Sequence, residues 1–239
     1  MEHHYIDIHS HILYGVDDGA KTREISIQML QEAARQGVTD IIATPHYRGG
    51  MFSYPAAKIF AHYRDLRAEA HKMGIRLSLG CEYFVDGDIF ENLRKGRVPA
   101  MGGTRYVLTE YGNEATYSMI HMFSQGLIRQ GYFPIIAHVE RIRTMVSHME
   151  YVRELSDMGV YFQLNADNVL GRGGMIKQHF CGKMLKSGYA DFVASDAHNL
   201  TERAMHIDEC AQYVEKHMGP ECRDSVFCGQ ARRILRKGA

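Results

Sequence analysis

Tyr5-Ile-Asp-Ile-His-Ser-His11 is the stretch on which the fold turns. Ile6 and Ile8 alternate with Asp7 and His9, the period of two expected of a strand, and the run ends in two histidines. Thr22 then opens a helical stretch containing Ile25, Met29, Leu30 and Ala33, which closes near Gly37. Strand-like Asp40-Ile-Ile-Ala-Thr44 follows. After it Ile59, Tyr63, Leu66, Ala70 and Met73 recur in steps of four and three, an apolar helical stripe ended by Gly74. The same alternation continues to the end of the chain. Strands are predicted over Ile75–Gly80, Arg105–Thr109, Pro134–Ala137, Val160–Leu164 and Asp191–Ala194. Helices are predicted near 88–96, 116–130, 148–158, 174–187, 201–217 and 221–236.

About seven β/α units imply a parallel sheet with crossover helices. No Pro- or Ser-rich linker and no internal repeat interrupts them. One domain over residues 1–239, a closed or nearly closed barrel, fits better than two. A doubly wound open sheet would show the same periodicity.

Composition narrows the function. The 28 Lys and Arg balance 28 Asp and Glu, which leaves no basic footprint for nucleic acid and no polybasic membrane anchor. An apolar share of 45% is too high for disorder. No run of about 18 apolar residues occurs, so no membrane insertion is expected. The start lacks the basic and apolar regions of a signal peptide. The five cysteines are odd in number, dispersed and free of C-x-x-C pairs, so a reducing cytoplasm is the expected setting. The unusual count is 14 histidines.

Where the ionisable residues fall is more informative than how many there are. His9 and His11 end the first strand, His46 follows the second, Glu82 the third, Glu110 the fourth and His138 the fifth. Asp196 and His198 follow the last. In a parallel barrel the C-terminal strand ends converge on one face, and the active site lies there. Residues i and i+2 share a strand face, so His9 and His11 can bind one metal, as can Asp196 and His198. Mixed imidazoles and carboxylates suit Zn, Mn or Fe better than Ca. A lone H-x-H is weak evidence; with four further ligand-bearing strand ends it becomes strong. Asp17 and Asp18 either form only an Asx turn or supply one more ligand. Arg141 and Arg203 lie just past ligand-bearing strand ends, placed to grip a phosphate. Arg143, Arg172 and Gly171-Arg-Gly-Gly174 are weaker candidates for that work. His62, His71, His121, His148, His206 and His217 fall in helical segments and read as surface or packing residues, and His179 has no assigned role.

With these residues in view, the chain resembles the polymerase and histidinol phosphatase (PHP) superfamily of metal-dependent phosphoesterases. Within it, the chain is most similar to bacterial manganese-dependent protein-tyrosine phosphatases of capsular and exopolysaccharide gene clusters. The resemblance rests on Asp7-Ile-His-Ser-His-Ile-Leu13, Gly15-Val-Asp-Asp-Gly-Ala-Lys-Thr22, Ala43-Thr-Pro-His-Tyr-Arg48, Gly80-Cys-Glu82, Leu108-Thr-Glu110, Pro134-Ile-Ile-Ala-His-Val-Glu-Arg141 and Ala194-Ser-Asp-Ala-His-Asn199. It implies an α/β fold, a distorted TIM-like (β/α)7 barrel holding three divalent metals, Mn or else Fe, Zn or Co. By position, His9, His11, Glu82 and Asp196 would hold the first. Glu82 would bridge to the second, with Glu110 and His138, and Asp18, His46 and His198 would hold the third. Arg141 and Arg203 match the phosphate-binding arginines. Val139 and Ile142 depart from a usual proline and aromatic, and no departure removes a ligand.

The expected chemistry is hydrolysis of phosphotyrosine by a metal-activated hydroxide. The expected substrate is the tyrosine-rich tail of a membrane-linked autokinase. No cysteine begins a C-x5-R loop, which disfavours a covalent cysteine phosphatase. The rivals are a small-molecule phosphatase acting on something like histidinol phosphate, and a barrel amidohydrolase. The second often uses a bridging lysine, and no strand end here carries one.

Overall fold

The computed structural model describes residues 4–52 and 54–235. Its strands, in chain order, are β1 (Tyr5–Ser10), β2 (Val38–Ala43), β3 (His46–Tyr47), β4 (Arg76–Leu79), β5 (Glu82–Phe84), β6 (Tyr106–Glu110), β7 (Phe133–Ile136), β8 (Tyr161–Asn165) and β9 (Phe192–Ala194). All ladders are parallel. They form two arcs, β1-β2-β4 and β3-β5-β6-β7-β8-β9. Because β2 runs on into β3 and β4 into β5, the nine segments are seven strands of one curled sheet. The break before β3 falls at Pro45, which has no N–H to give to a ladder. The break before β5 falls at Gly80, where a Cβ would stand 2.8 Å from the Met101 sulfur.

The ring closes between the last strand and the first. Ser10 bridges Ala197, Asp196 N–H donates to His9 O at 2.9 Å, and His11 N–H donates to Ala197 O at 2.9 Å. Seven strands curled in this way are the nearly closed barrel expected from the alternation, and the distorted TIM-like form implied by the resemblance.

Helices cover the outside. They are α1 (Arg23–Arg35), α2 (Ala56–Lys72), α3 (Ile89–Arg94), α4 (Tyr117–Arg129), α5 (Arg143–Ser147), α6 (Met149–Met158), α7 (Ala166–Val169), α8 (Met175–Lys186), α9 (Ile207–Met218), α10 (Pro220–Asp224) and α11 (Ala231–Leu235). Thr22 and Thr116 cap α1 and α4 through their hydroxyls. The predicted stripe of α2 buries Ile59, Leu66 and Ala70. Burying each such side chain contributes about 1.5–3 kcal/mol. Two expectations need correcting. The helix predicted over 201–217 begins only at Ile207, and residues 201–206 form a loop in which Arg203 N–H donates to the Asn199 side chain. His206 is therefore not helical but stands immediately before α9. The helix predicted over 221–236 is three pieces, α10, a π-helical turn Ser225–Gly229 and α11; its last residue lies outside the described residues.

Two apolar clusters form the core. The larger lies between sheet and helices. The smaller joins Ile6, Ile8, Ile42, Leu108, Ile135 and Phe192 to Met101, Ala231 and Ile234. Strands that are not neighbours meet in it, so it fills the barrel interior, with α11 plugging one end. One register irregularity in β1 matters for function. Asp7 pairs with Ile41 but Ser10 with Ala43, so β1 carries one extra residue, a bulge. A bulge reverses the face on which later side chains emerge. Ile6 and Ile8 can thus pack inside the barrel while His9 and His11 also reach its interior.

Candidate metal centre

The predicted donors converge at the strand ends. Glu82, fully buried, is the hub. His9 Nε2 lies 3.2 Å from its carboxylate, His11 Nε2 3.1 Å, His46 Nδ1 3.0 Å and His138 Nε2 2.7 Å. Asp196 stands 3.4 Å from His9 and 3.5 Å from His11. Asp18 stands 3.4 Å from both His46 Nε2 and His198 Nε2.

Three groups of donor atoms are each compact enough for one cation, every atom within 4.8 Å of the others. They are His9, His11, Glu82 and Asp196; His11, Asp18, His46 and His198; and His46, Glu82 and Glu110. The first set is the one implied by the resemblance. The other two differ in detail, because His11 joins Asp18, His46 and His198, and His46 rather than His138 groups with Glu82 and Glu110.

The hydrogen bonds behind these rings fix their tautomers. Gln163 Oε1 accepts from the His138 backbone N–H at 2.9 Å and lies 3.1 Å from His9 Nδ1. An amide oxygen only accepts, so His9 carries its proton on Nδ1 and turns a lone pair inward at Nε2. Asp17 Oδ2 likewise takes the His46 N–H at 3.0 Å and faces His11 Nδ1 at 2.9 Å. The Asp196 carbonyl faces His198 Nδ1 at 2.8 Å. Nε2 is therefore the atom that each of the three imidazoles can offer to a cation, and those of His9 and His11 are 3.2 Å apart. Two facing lone pairs repel unless a proton or a metal cation lies between or beside them. His46 Nδ1, Glu82 Oε2, Glu110 Oε2, His138 Nδ1 and His198 Nε2 are moreover buried without a hydrogen-bond partner, a costly state that metal coordination relieves.

The electrostatics agree. Burial opposes charge on His46, yet Glu82 and Asp18 push its pKa up to about 9. Burial and then the Glu82 carboxylate push Glu110 up to about 7. Burial and the Arg141 charge pull His138 down to about 4. His9 and His11 are raised by their carboxylate neighbours despite complete burial. The pocket favours positive charge, and divalent cations would invert this local balance.

Backbone strain concentrates here too. His138 (φ 35°) and Asp196 (φ 52°) are the non-glycine residues with positive φ among the described residues. Both are candidate donors, and both adopt a conformation that most side chains avoid.

Among the other predicted residues, Arg141 Nη2 donates to Asp196 at 2.8 Å, and Arg203 Nη2 does so at 3.1 Å. Both guanidiniums thus border the donor set. Arg143 pairs instead with Glu114 on the surface, 3.0 Å away. Arg172 pairs with Asp167 and Glu209 and lines a cleft of about 390 Å³ that also contains Arg141, Asp196 and Arg203. Asp17 does form an Asx turn, accepting from Gly19 N–H at 2.9 Å, and orients His11 as well; Asp18 is the one of the two that joins a candidate donor group.

Sequence reasoning missed three supports. Gln163 holds His9. Asn165 links Gln163 to Asp196, with hydrogen bonds of 2.8 Å on either side. Asp7, buried within β1, accepts from the Ser195 N–H at 3.0 Å and hydroxyl at 2.5 Å and so fastens the barrel closure. A carboxylate between Ile6 and Ile8 was the one signal available for Asp7.

Comparison with known proteins gives a consistent result. The family profile "Capsular polysaccharide synthesis, CpsB/CapC" matches residues 5–236. Tyrosine-protein phosphatase CpsB of Streptococcus agalactiae serotype III is 33% identical over 238 residues, covering 97% of this chain and 98% of that protein. Tyrosine-protein phosphatase YwqE of Bacillus subtilis is 32% identical, covering 90% and 86%. Crystal structures of YwqE from Bacillus subtilis and CpsB from Streptococcus pneumoniae, called unique metal-dependent tyrosine phosphatases, include a match at TM-score 0.91 and 30% identity, covering 98% of this chain and 95% of that one. A Listeria monocytogenes lactonase at TM-score 0.57 and 11% identity shares the fold alone.

Proposed function

The chain belongs to the CpsB/CapC family of capsular polysaccharide synthesis, and from that premise we propose that it is a metal-dependent protein-tyrosine phosphatase. The observation that carries this reading is the inward turn of the Nε2 atoms of His9, His11 and His198 around buried Glu82 and Asp196. Three divalent cations fit the three donor groups. His9, His11, Glu82 and Asp196 would hold one. Glu82 and Glu110, flanked by His46 and His138, would hold a second, and Asp18, His46 and His198, with His11 beside them, a third. When bound, such cations lower the pKa of coordinated water toward 7 and neutralise phosphoryl charge.

The chain's own residues supply the rest. Arg141 and Arg203 would grip the phosphoryl oxygens bidentately at the edge of the donor set. Gln163 and Asp17 keep His9 and His11 in their donor tautomers. The leaving phenolate, with a pKa of about 10, needs only modest stabilisation. Thiol chemistry is not involved: burial raises the pKa of all five cysteines, and the two that are partly exposed, Cys222 and Cys228, lie on α10 and against His4 at the start of β1. We assign manganese as the working metal, with Fe, Zn or Co as substitutes, since mixed nitrogen and oxygen donors accept all four. The substrate is the tyrosine-rich tail of a membrane-linked autokinase in capsular or exopolysaccharide synthesis, reached from the cytoplasm by a one-domain enzyme. No helix among the described residues is long and apolar enough to cross a membrane.

The test is hydrolysis of a phosphotyrosine peptide after chelation and readdition of Mn, Zn, Co or Fe, with histidinol phosphate alongside. Activity lost on chelation, restored by metal and favouring the peptide is expected. Activity indifferent to chelation would end the metal reading, and preference for histidinol phosphate would make the enzyme a small-molecule phosphatase.

A further inference from the structure

The 390 Å³ cleft extends from Asp196, Arg141 and Arg203 past Asn165 and Asn168 to Arg172 and Lys177. Its volume far exceeds that of a phosphate group, so it has room for more of a peptide than the phosphoryl group. The charges along it are unevenly satisfied. Arg141 and Arg203 pair with Asp196, and Arg172 with Asp167 and Glu209. Asp167 is shared further with His206, 2.8 Å away. Lys177, half-buried in the first turn of α8, makes no hydrogen bond or ion pair among the described residues. The remaining acidic residue of the lining, Glu202, is exposed. Among the described residues the cleft thus keeps one uncommitted cation, at a site distinct from the two arginines proposed to bind phosphate.

The surroundings are built to leave that space open. A Cβ on Gly173 would lie 1.8 Å from Asn168 Oδ1 and 3.3 Å from Lys177 Cδ, so only glycine lets the loop pass between them. Asn168 is itself held by the buried Glu140 carboxylate at 2.6 Å, which keeps the cleft floor rigid. Because the whole chain carries no net charge, any selection of an acidic peptide would have to come from such a local feature.

We infer that Lys177 is a specificity-determining residue, the anion-binding end of a subsite for an acidic group flanking the phosphotyrosine, either a carboxylate side chain or a second phosphate. This inference rests on the phosphatase reading above. Lys177 supplies a positive charge to the neighbouring residue of the substrate.

The experiment uses the manganese-loaded enzyme and phosphotyrosine peptides that differ only in carrying Glu, Gln or a second phosphotyrosine at each flanking position. In the parent enzyme kcat/KM should favour Glu over Gln about fivefold at one flank, the scale of a partly exposed ion pair, and less at high salt. Lys177→Gln should bring that ratio to about one, and Lys177→Glu should invert it and favour a Lys-flanked peptide. Because each ratio is taken within one protein, a general loss of activity does not mimic the effect. A larger gain from phosphotyrosine than from Glu assigns the subsite to phosphate; an equal or smaller gain assigns it to carboxylate. A parent enzyme that treats Glu and Gln alike at every flank overturns the inference, as does a Lys177→Gln protein that retains the preference. Failure of the phosphatase reading looks different: no phosphotyrosine peptide would turn over with any metal, and the subsite would fall with it.

Discussion

Gly19→Ala should damage the centre without touching a single donor. A Cβ built on Gly19 lies 2.2 Å from His11 O and 2.5 Å from His11 Cβ, with Asp17 Oδ1 at 3.0 Å. Two of these contacts are with backbone or its first side-chain atom, so no rotamer change relieves them. The loop or the end of β1 must give by about 1 Å. Overpacking of this kind costs about 1–3 kcal/mol. In a chain of this size that lowers Tm by roughly 2–4 °C per kcal/mol. The functional cost is larger, because His11 belongs to two of the three donor groups. A displacement of about 1 Å in a catalytic array costs on the order of a hundredfold in rate. The assay is phosphotyrosine-peptide hydrolysis as a function of manganese, together with thermal unfolding. Expected are a kcat/KM about a hundredfold lower and a higher half-saturating manganese concentration. Gly182→Ala is the control: its Cβ meets nothing within 4 Å inside α8, and it should stabilise by about 1 kcal/mol with unchanged activity. A Gly19→Ala protein with the parent's activity and manganese dependence would refute the claim that close packing against His11 positions the site.

Three further outcomes are expected. Asp17→Asn keeps the turn but weakens the anchor on His11 Nδ1, so metal affinity should fall about 10- to 100-fold in a titration; an unchanged titration would remove Asp17 from the site. Burial pushes the Asp191 carboxyl from 3.8 up to about 6. A folded pKa above the unfolded one means that the protonated form favours the fold, fully below about pH 4 and no longer once pH has climbed through 6. Asp191→Asn should therefore abolish a stability loss of about 2 kcal/mol between pH 4 and 7 in urea unfolding, and parallel profiles for the two proteins would contradict this. Iodoacetamide on the native protein should leave activity intact, since Cys81, Cys181 and Cys210 are buried and the partly exposed Cys222 and Cys228 lie on α10 and against His4 at the start of β1, not at the donor-bearing strand ends; rapid inactivation without unfolding would reinstate a thiol mechanism.

The donor set was legible because it is a local property of each strand end. A His, Asp or Glu just where a β-run stops can be read without knowing where the other strands lie. For that reason His9, His11, His46, Glu82, Glu110, His138, Asp196 and His198 all emerge from the chain order. Asp18 was separable from Asp17 only through resemblance to a family, since adjacent carboxylates in a turn have the same local signature. The loop bearing Arg203 was read as helix because residues 201–217 have acceptable helical composition. The fold instead spends Asn199 in side-chain hydrogen bonds that hold residues 201–203 out of a helix.

By itself, then, the sequence determined the alternating β/α architecture and the strand ends that carry the candidate metal donors, because periodicity and residue type are encoded over a few positions. Only the tertiary structure decided how those ends are aimed. The bulge in β1 appears when its register against β2 is known, and it lets Ile8 and His9 share the barrel interior. The Asp7–Ser195 fastening and the Gln163 anchor join residues more than 150 positions apart. The solitary charge of Lys177 is visible only once every neighbouring ion pair in the cleft has been assigned. Register, closure and charge pairing are properties of distant segments brought together, and no short stretch of chain contains them.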